Sequence, residues 1–212
     1  GRLYMSILVG TSVVLLLPAV IYVWVMTGRL DFVPGGILAG AIPDNVVPWL
    51  LAAFAFGVGK AALMPIHRWL PAAMVAPTPV SALLHAVAVV KAGVFTILMV
   101  VVYIFGIDFL HASGGGTWLV WLASFTIIAS SCVAITKDDL KARLAYSTIS
   151  QLSYVVLGAA IATQMASTGA AIHIVMPAAG KITFFLVARS IYAHAPITIN
   201  SQFAGQGRET PW

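Results

Sequence analysis

Six long apolar runs, joined by short polar stretches, leave this chain little choice of environment. Crossing the hydrocarbon core of a bilayer takes about 20 mostly apolar residues. Runs of that kind fall at about 3–27, 47–64, 80–107, 117–136, 144–163 and 169–192. No strand-like alternation competes with them. The expected fold class is therefore all-α: a polytopic transmembrane helical bundle of about six spanning helices, some broken or Pro-interrupted, making a single transmembrane region over 1–212. Charged residues make up only 8% of the sequence against 61% hydrophobic, whereas a soluble domain carries roughly 25% charged residues. Such a surface could not face water. The formal net charge of +5 does not point to nucleic acid, because the bases are few, scattered and mostly in loops. Cys132 is the single cysteine and sits in an apolar run, so it supports neither a disulfide framework nor a metal site.

Loop charges give the orientation. One set of connections and ends collects Arg2, Arg68, Lys137, Lys141, Arg143 and Arg208, while the other holds only Arg29 beside Asp31, Asp44 and Asp108. Under the positive-inside rule the first set faces the cytoplasm. The chain opens on Gly1 rather than Met, with Arg2 leading into an apolar stretch too long for a signal h-region. Thr210-Pro211-Trp212 reads as the approach to another helix, and the expectation is a piece of a longer protein.

Prolines punctuate the second-to-third connection at Pro65, Pro71, Pro77 and Pro79. The stretch 65–71 is not expected to form one continuous helix. It reads either as a short re-entrant or interfacial piece with Trp69 at headgroup depth, or as an ordinary Pro-rich loop. Pro177, four residues after His173, is expected to break the sixth span and free backbone carbonyls.

The residues that carry chemistry are charges at membrane depth. Lys60 lies late in the second span, Lys91 midway along the third and Lys181 centrally in the sixth. A lysine at mid-helix costs about 2.5–3.5 kcal/mol on translocon-insertion scales, so each should face protein, water or a partner. Snorkelling to the nearby boundary is the alternative for Lys60, and a structural interhelical contact is the alternative for Lys181. Desolvation also makes a buried amine able to exchange a proton near neutral pH. All six carboxylates (Asp31, Asp44, Asp108, Asp138, Asp139 and Glu209) fall outside the expected spans. The acid that balances the lysines is therefore expected from a further segment or another subunit.

His85 and His173 lie within spans, where imidazole can relay protons or simply bond a neighbouring carbonyl. His85 and Lys91 point about 120° apart on one helix, yet both could border a path between helices. Ser147, Thr148, Ser150, Gln151 and Ser153, with Tyr146 and Tyr154, could line a hydrated channel or act as interhelical glue. No paired-His spacing, Walker loop, dinucleotide fingerprint or cysteine cluster occurs. The expectation is no metal, no cofactor and no redox chemistry on this chain.

Several motifs resemble one family. Gly59-Lys60-Ala61-Ala62, running through Pro65-Ile66-His67-Arg68-Trp69-Leu70-Pro71, resembles the seventh helix of antiporter-like membrane subunits. Those subunits occur in respiratory complex I, in Mrp-type cation/proton antiporters and in membrane-bound hydrogenases. Ala76-Pro77-Thr78-Pro79-Val80-Ser81 through His85 to Lys91-Ala92-Gly93 resembles the eighth helix. Asp139-Leu140-Lys141-Ala142-Arg143 through Gln151 resembles the loop into the tenth, and His173 with Gly180-Lys181-Ile182-Thr183 the eleventh. The match covers essentially the whole chain, as a piece spanning the sixth to eleventh of about fourteen helices. The resemblance implies that Lys60 and Lys91 are proton-relaying lysines, with His85, His173 and Lys181 along the same intramembrane axis. It also implies a fifth-helix glutamate and a charged twelfth helix, both outside this sequence. Pro177 stands where many relatives have a second histidine, a departure from the pattern.

The function implied is proton translocation as an antiporter-like subunit of a larger respiratory or hydrogenase-type complex. A Na⁺/H⁺ antiporter subunit of an Mrp-type assembly is one alternative, and a structural membrane subunit that conducts nothing is another. Any NADH:quinone oxidoreductase activity would belong to neighbouring subunits. The partners implied are other membrane subunits, the lipid bilayer, and protons with or without Na⁺, but no nucleic acid. The location expected is integral to a membrane, specifically a bacterial cytoplasmic (inner) membrane.

Overall fold

The computed structural model describes residues 2–73 and 89–194. His85, Pro77 and Pro79, the start of the third expected span and the segment with Arg208 and Glu209 lie outside them. The regular structure among the described residues is helical, without strands.

The first span is one long helical course: α1 (Arg2–Thr11), a π-helical stretch Ser12–Leu16, and α2 (Leu17–Thr27). The π turns fall just ahead of Pro18, whose missing N–H interrupts the i→i−4 ladder. α3 (Val47–Gly57) follows, starting on Pro48 and burying Val47, Leu50, Leu51 and Phe54 at helical spacing. Beyond it come a 3₁₀ turn at Gly59–Ala61, a second at Ile66–Arg68, and the short α4 (Trp69–Ala72). The third span comprises α5 (Val89–Met99), a π-helical stretch Val100–Gly106, and α6 (Ile107–Ser113). α7 (Thr117–Thr136), α8 (Leu140–Ile161) and α9 (Gln164–His194) complete the described fold. Among the described residues five helical courses are long and apolar enough to cross a membrane, and Val47–Gly57 is a shorter apolar helix.

The course α5–α6 and α8 sit inside the bundle, whereas α1–α2 and α9 are peripheral. α8 packs along α7 on one side and α9 on the other. Its N-terminus is capped by Asp139, whose Oδ1 accepts from the Ala142 N–H at 2.7 Å. Its C-terminus closes on Ala162 in the left-handed region at φ 52°.

Four boundaries and breaks differ from those read in the sequence. The second span, expected to run to 64, is α-helical only to Gly57, because the chain there turns into the 3₁₀ geometry of Gly59–Ala61 and a left-handed Ala62 (φ 54°). The third, expected to end at 107, continues to Ser113, so that Asp108 lies in its last turns rather than in a loop. Pro71 does not break a helix. It lies in the first turn of α4, where its missing N–H would be unpaired in any case. Pro177 lies inside α9, which runs helical from Gln164 to His194 around it. One proline removes a single ladder bond, and the helix continues past it.

The loop between α2 and α3 is anchored at the second of the π stretches. Gly106 takes φ 83°, ψ 135°, a backbone region open to glycine. The Ile104 carbonyl there accepts from the N–H of Ile37 at 2.9 Å and of Leu38 at 3.1 Å. An irregular membrane helix is tolerated where such freed groups find protein partners.

Candidate functional site: a polar line across the bundle

Lys60 is placed by the break after α3. The helix stops at Gly57, and Lys60 occupies the middle of the 3₁₀ turn Gly59–Ala61 with its side chain exposed at the bundle surface. It is thus at a helix interruption, not late in a continuous span. The turn lies directly on α5 at Gly93. A Cβ at position 93 would come within 2.7 Å of the Lys60 carbonyl carbon and of the Ala61 nitrogen. This close approach sets the Lys60 backbone two residues away from Lys91 along α5.

The break is braced by Trp69. Its indole Nε1 donates to the Gly59 carbonyl at 3.0 Å, and the residue is only 1% exposed. Trp69 is therefore a core residue, packed inside the bundle rather than facing out from it. It gives the Gly59 carbonyl a shorter bond than the 3.4 Å one from the Ala62 N–H that closes the 3₁₀ turn. His67, in the turn before it, lies with its ring centroid 6.2 Å from Tyr146 of α8. Burial, and after it the neighbouring Arg68, holds the His67 pKa below its ordinary 6.5, with the Pro65 backbone acting in the opposite sense.

Lys91 is 8% exposed in the middle of the bundle. Its helix packs against α8 and also against α9, which carries His173 and Lys181. His173 sits 2.7 Å from Gln151 of α8, Nε2 to Oε1, with Tyr154 edge-on at 5.6 Å between ring centroids. Lys181 is half-buried and donates to Ser147 Oγ at 3.2 Å and Thr148 Oγ1 at 2.9 Å. The eight residues from His173 to Lys181 rise ~12 Å along the helix.

The polar cluster of α8 divides its work by face. Ser150 points to α7 and shares a hydrogen bond of 3.0 Å with Ser131, a link between helices. Ser153 bonds back to the Ile149 carbonyl of its own helix at 2.9 Å. Ser147 and Gln151, one turn apart, face α9 and line a groove of about 500 Å³ with Arg143, Pro177, Lys181 and Phe184. Of the residues singled out in the sequence, Lys91, His173 and Lys181 thus share one region, with Lys60 at its edge. All five described carboxylates are exposed. Among the described residues no group of three or more His, Cys, Asp or Glu could hold a metal ion. The partners Gln151, Ser147 and Thr148 were visible only as a polar patch, since nothing local in a sequence sets the register between two helices.

A bundle of helices long and apolar enough to cross a membrane, with the Lys91 amine buried inside it and His173 and Lys181 partly buried on a neighbouring helix, defines an integral membrane protein. The chain belongs to the transmembrane family of NADH:quinone oxidoreductase/Mrp antiporter, whose pattern it matches over residues 2–205. It is 36% identical over 191 residues to the chloroplast NAD(P)H-quinone oxidoreductase subunit 5 of Mesostigma viride, covering 86% of this chain and 28% of that protein. It is 40% identical over 130 residues to a probable K⁺/H⁺ antiporter subunit of Rhizobium meliloti (strain 1021), covering 61% of this chain and 12% of that one. The chain thus spans less than a third of the length of these relatives. Among solved structures, the Mrp complex of Dietzia sp. DQ12-45-1b aligns at a TM-score of 0.74 and 32% identity, over 87% of this chain and 20% of that chain. Respiratory complex I of Thermus thermophilus with bound NADH shares the fold at a TM-score of 0.77 and 21% identity, over 98% of this chain and 45% of that chain.

Proposed function

We propose that this chain is the central part of an antiporter-like subunit that carries protons across the membrane within a larger membrane complex. The observation that supports this reading is the grouping of exchangeable side chains on packed apolar helices: Lys91 buried on α5, with His173 and Lys181 partly buried on α9, which packs against it. Protons would pass among amines, imidazole and hydroxyls, with Lys60 exchanging charge with Lys91 across the Gly93 contact. His85, outside the described residues, belongs to the same proposal. The exposed Lys60 is suited to a carboxylate supplied by a segment or subunit beyond this sequence. Other membrane subunits are the partners, and a bacterial cytoplasmic membrane is the proposed location, in line with the Rhizobium and Dietzia relatives.

The test is Lys91→Met in the full-length parent within its complex. Proton uptake into inverted vesicles should be abolished with assembly intact. Unchanged uptake would sink the relay. A second reading, a cation/proton antiporter subunit, draws on the K⁺/H⁺ antiporter relative and the Mrp structure. Vesicle pH changes that require Na⁺ or K⁺ would favour it over a redox-driven pump.

A further inference from the structure

With the Gln151 amide placed so that Oε1 faces His173 Nε2 at 2.7 Å, the oxygen can only accept, which puts the proton on Nε2. In the neutral ring Nδ1 is then the basic atom. The ring is held a second time by Tyr154, three residues further along α8, edge-on at 5.6 Å and 62°. Gln151 is itself in the wall of the groove that contains Lys181 and Pro177. It therefore stands between the imidazole and that groove.

We propose that Gln151 is a positioning residue that fixes His173 in the Nε2–H tautomer and closes that nitrogen to proton passage. The proton part of this inference rests on the function proposed above, whereas the tautomer does not. A proton crossing an imidazole enters at one nitrogen and leaves from the other, and the ring must then reset. At His173, exit through Nε2 would hand the proton to an amide oxygen, a very weak base. Uptake at Nδ1 instead gives the imidazolium with Nε2–H still bonded to Gln151. Release from Nδ1 restores the starting tautomer without a ring flip. His173 then stores a proton at one port and does not conduct through the ring. The groups that act on this store are Lys91 from α5, through its charge, and Tyr154 from α8, in ring contact.

The experiment is ¹⁵N solid-state NMR of the full-length parent in its complex, with labelled histidine and a His173→Asn sample to assign the signal. At pH 8 the expected spectrum shows His173 protonated at Nε2. Gln151→Leu should mix the two tautomers, shifting their ratio about tenfold, the worth of one hydrogen bond. Gln151→Glu, which keeps an acceptor, should retain the Nε2–H signature. An Nδ1–H ring in the parent, or the same ring signals in Gln151→Leu, overturns the proposal. Should Gln151→Leu fail to assemble, Gln151→Met takes its place, and ring signals unchanged from the parent again overturn the proposal. Transport that survives Lys91→Met would remove the relay but leave the tautomer result standing, so the two failures read differently.

Discussion

At position 93 a single methyl group separates two arrangements of the lysine pair. A Cβ there would sit 2.7 Å from the Ala61 nitrogen and 2.8 Å from the Lys60 Cβ, too close for either to stay. Gly93→Ala must push the Lys60 turn off α5, at a cost of about 1–3 kcal/mol for overpacking. A lower melting temperature of the purified parent complex, together with reduced proton uptake, is the expected result. Normal melting would show that the turn can slide without cost. The lysines themselves were legible in the sequence, because an amine at membrane depth stands out against its energetic cost. The partners were not. Trp69 and Gly59 are ten residues apart, and Gln151 and His173 twenty-two, so each pairing depends on a turn or a helix register that no local pattern encodes.

Whole helices were easier to read than their ends. Apolar composition continues from 47 to 64, and nothing in it separates α3 from the turn beyond. The end at Gly57 is set by the glycines around Lys60 and by an indole that arrives from α4 to take the Gly59 carbonyl. In the third span the decisive residue is Gly106. A side chain there would be strained at φ 83° and would run into the Gly35 carbonyl of the overlying loop. Gly106→Ala should therefore loosen both elements at once. Hydrogen exchange at the Ile37 and Leu38 amides, which donate to Ile104, should speed up by at least an order of magnitude, as roughly 1–3 kcal/mol of strain implies. Protected amides at the parent's rate would mean that the loop holds without the glycine.

For the molecule as a whole, the asymmetry of loop charge fixes a testable orientation. Single-cysteine variants lacking Cys132, which is exposed on α7, would carry their thiol at position 141 or position 31. In right-side-out vesicles a membrane-impermeant maleimide should label position 31 and spare 141, and inverted vesicles should reverse the pattern. The opposite labelling would invert the topology. The family was legible because its motifs are long and occur in order along the chain. The spatial grouping of Lys91, His173 and Lys181 was only implied, since α5 and α9 come together around α8 in three dimensions.

The division of polar residues on α8 bears on how the protein is made. α8 is the least apolar of the five spanning helices, and its hydroxyls and amide find partners on α7 at Ser131 and on α9 at His173 and Lys181. Thr148 can bond back to the Leu144 carbonyl of its own helix, but leaving the translocon alone would carry Ser147, Ser150 and Gln151 into lipid without the partners they have here. α7 has already emerged when α8 is synthesised, and α9 follows after a two-residue connection. The favoured course is for the three helices to wait for one another and enter the bilayer as a unit, so that the groups holding the site also time its insertion.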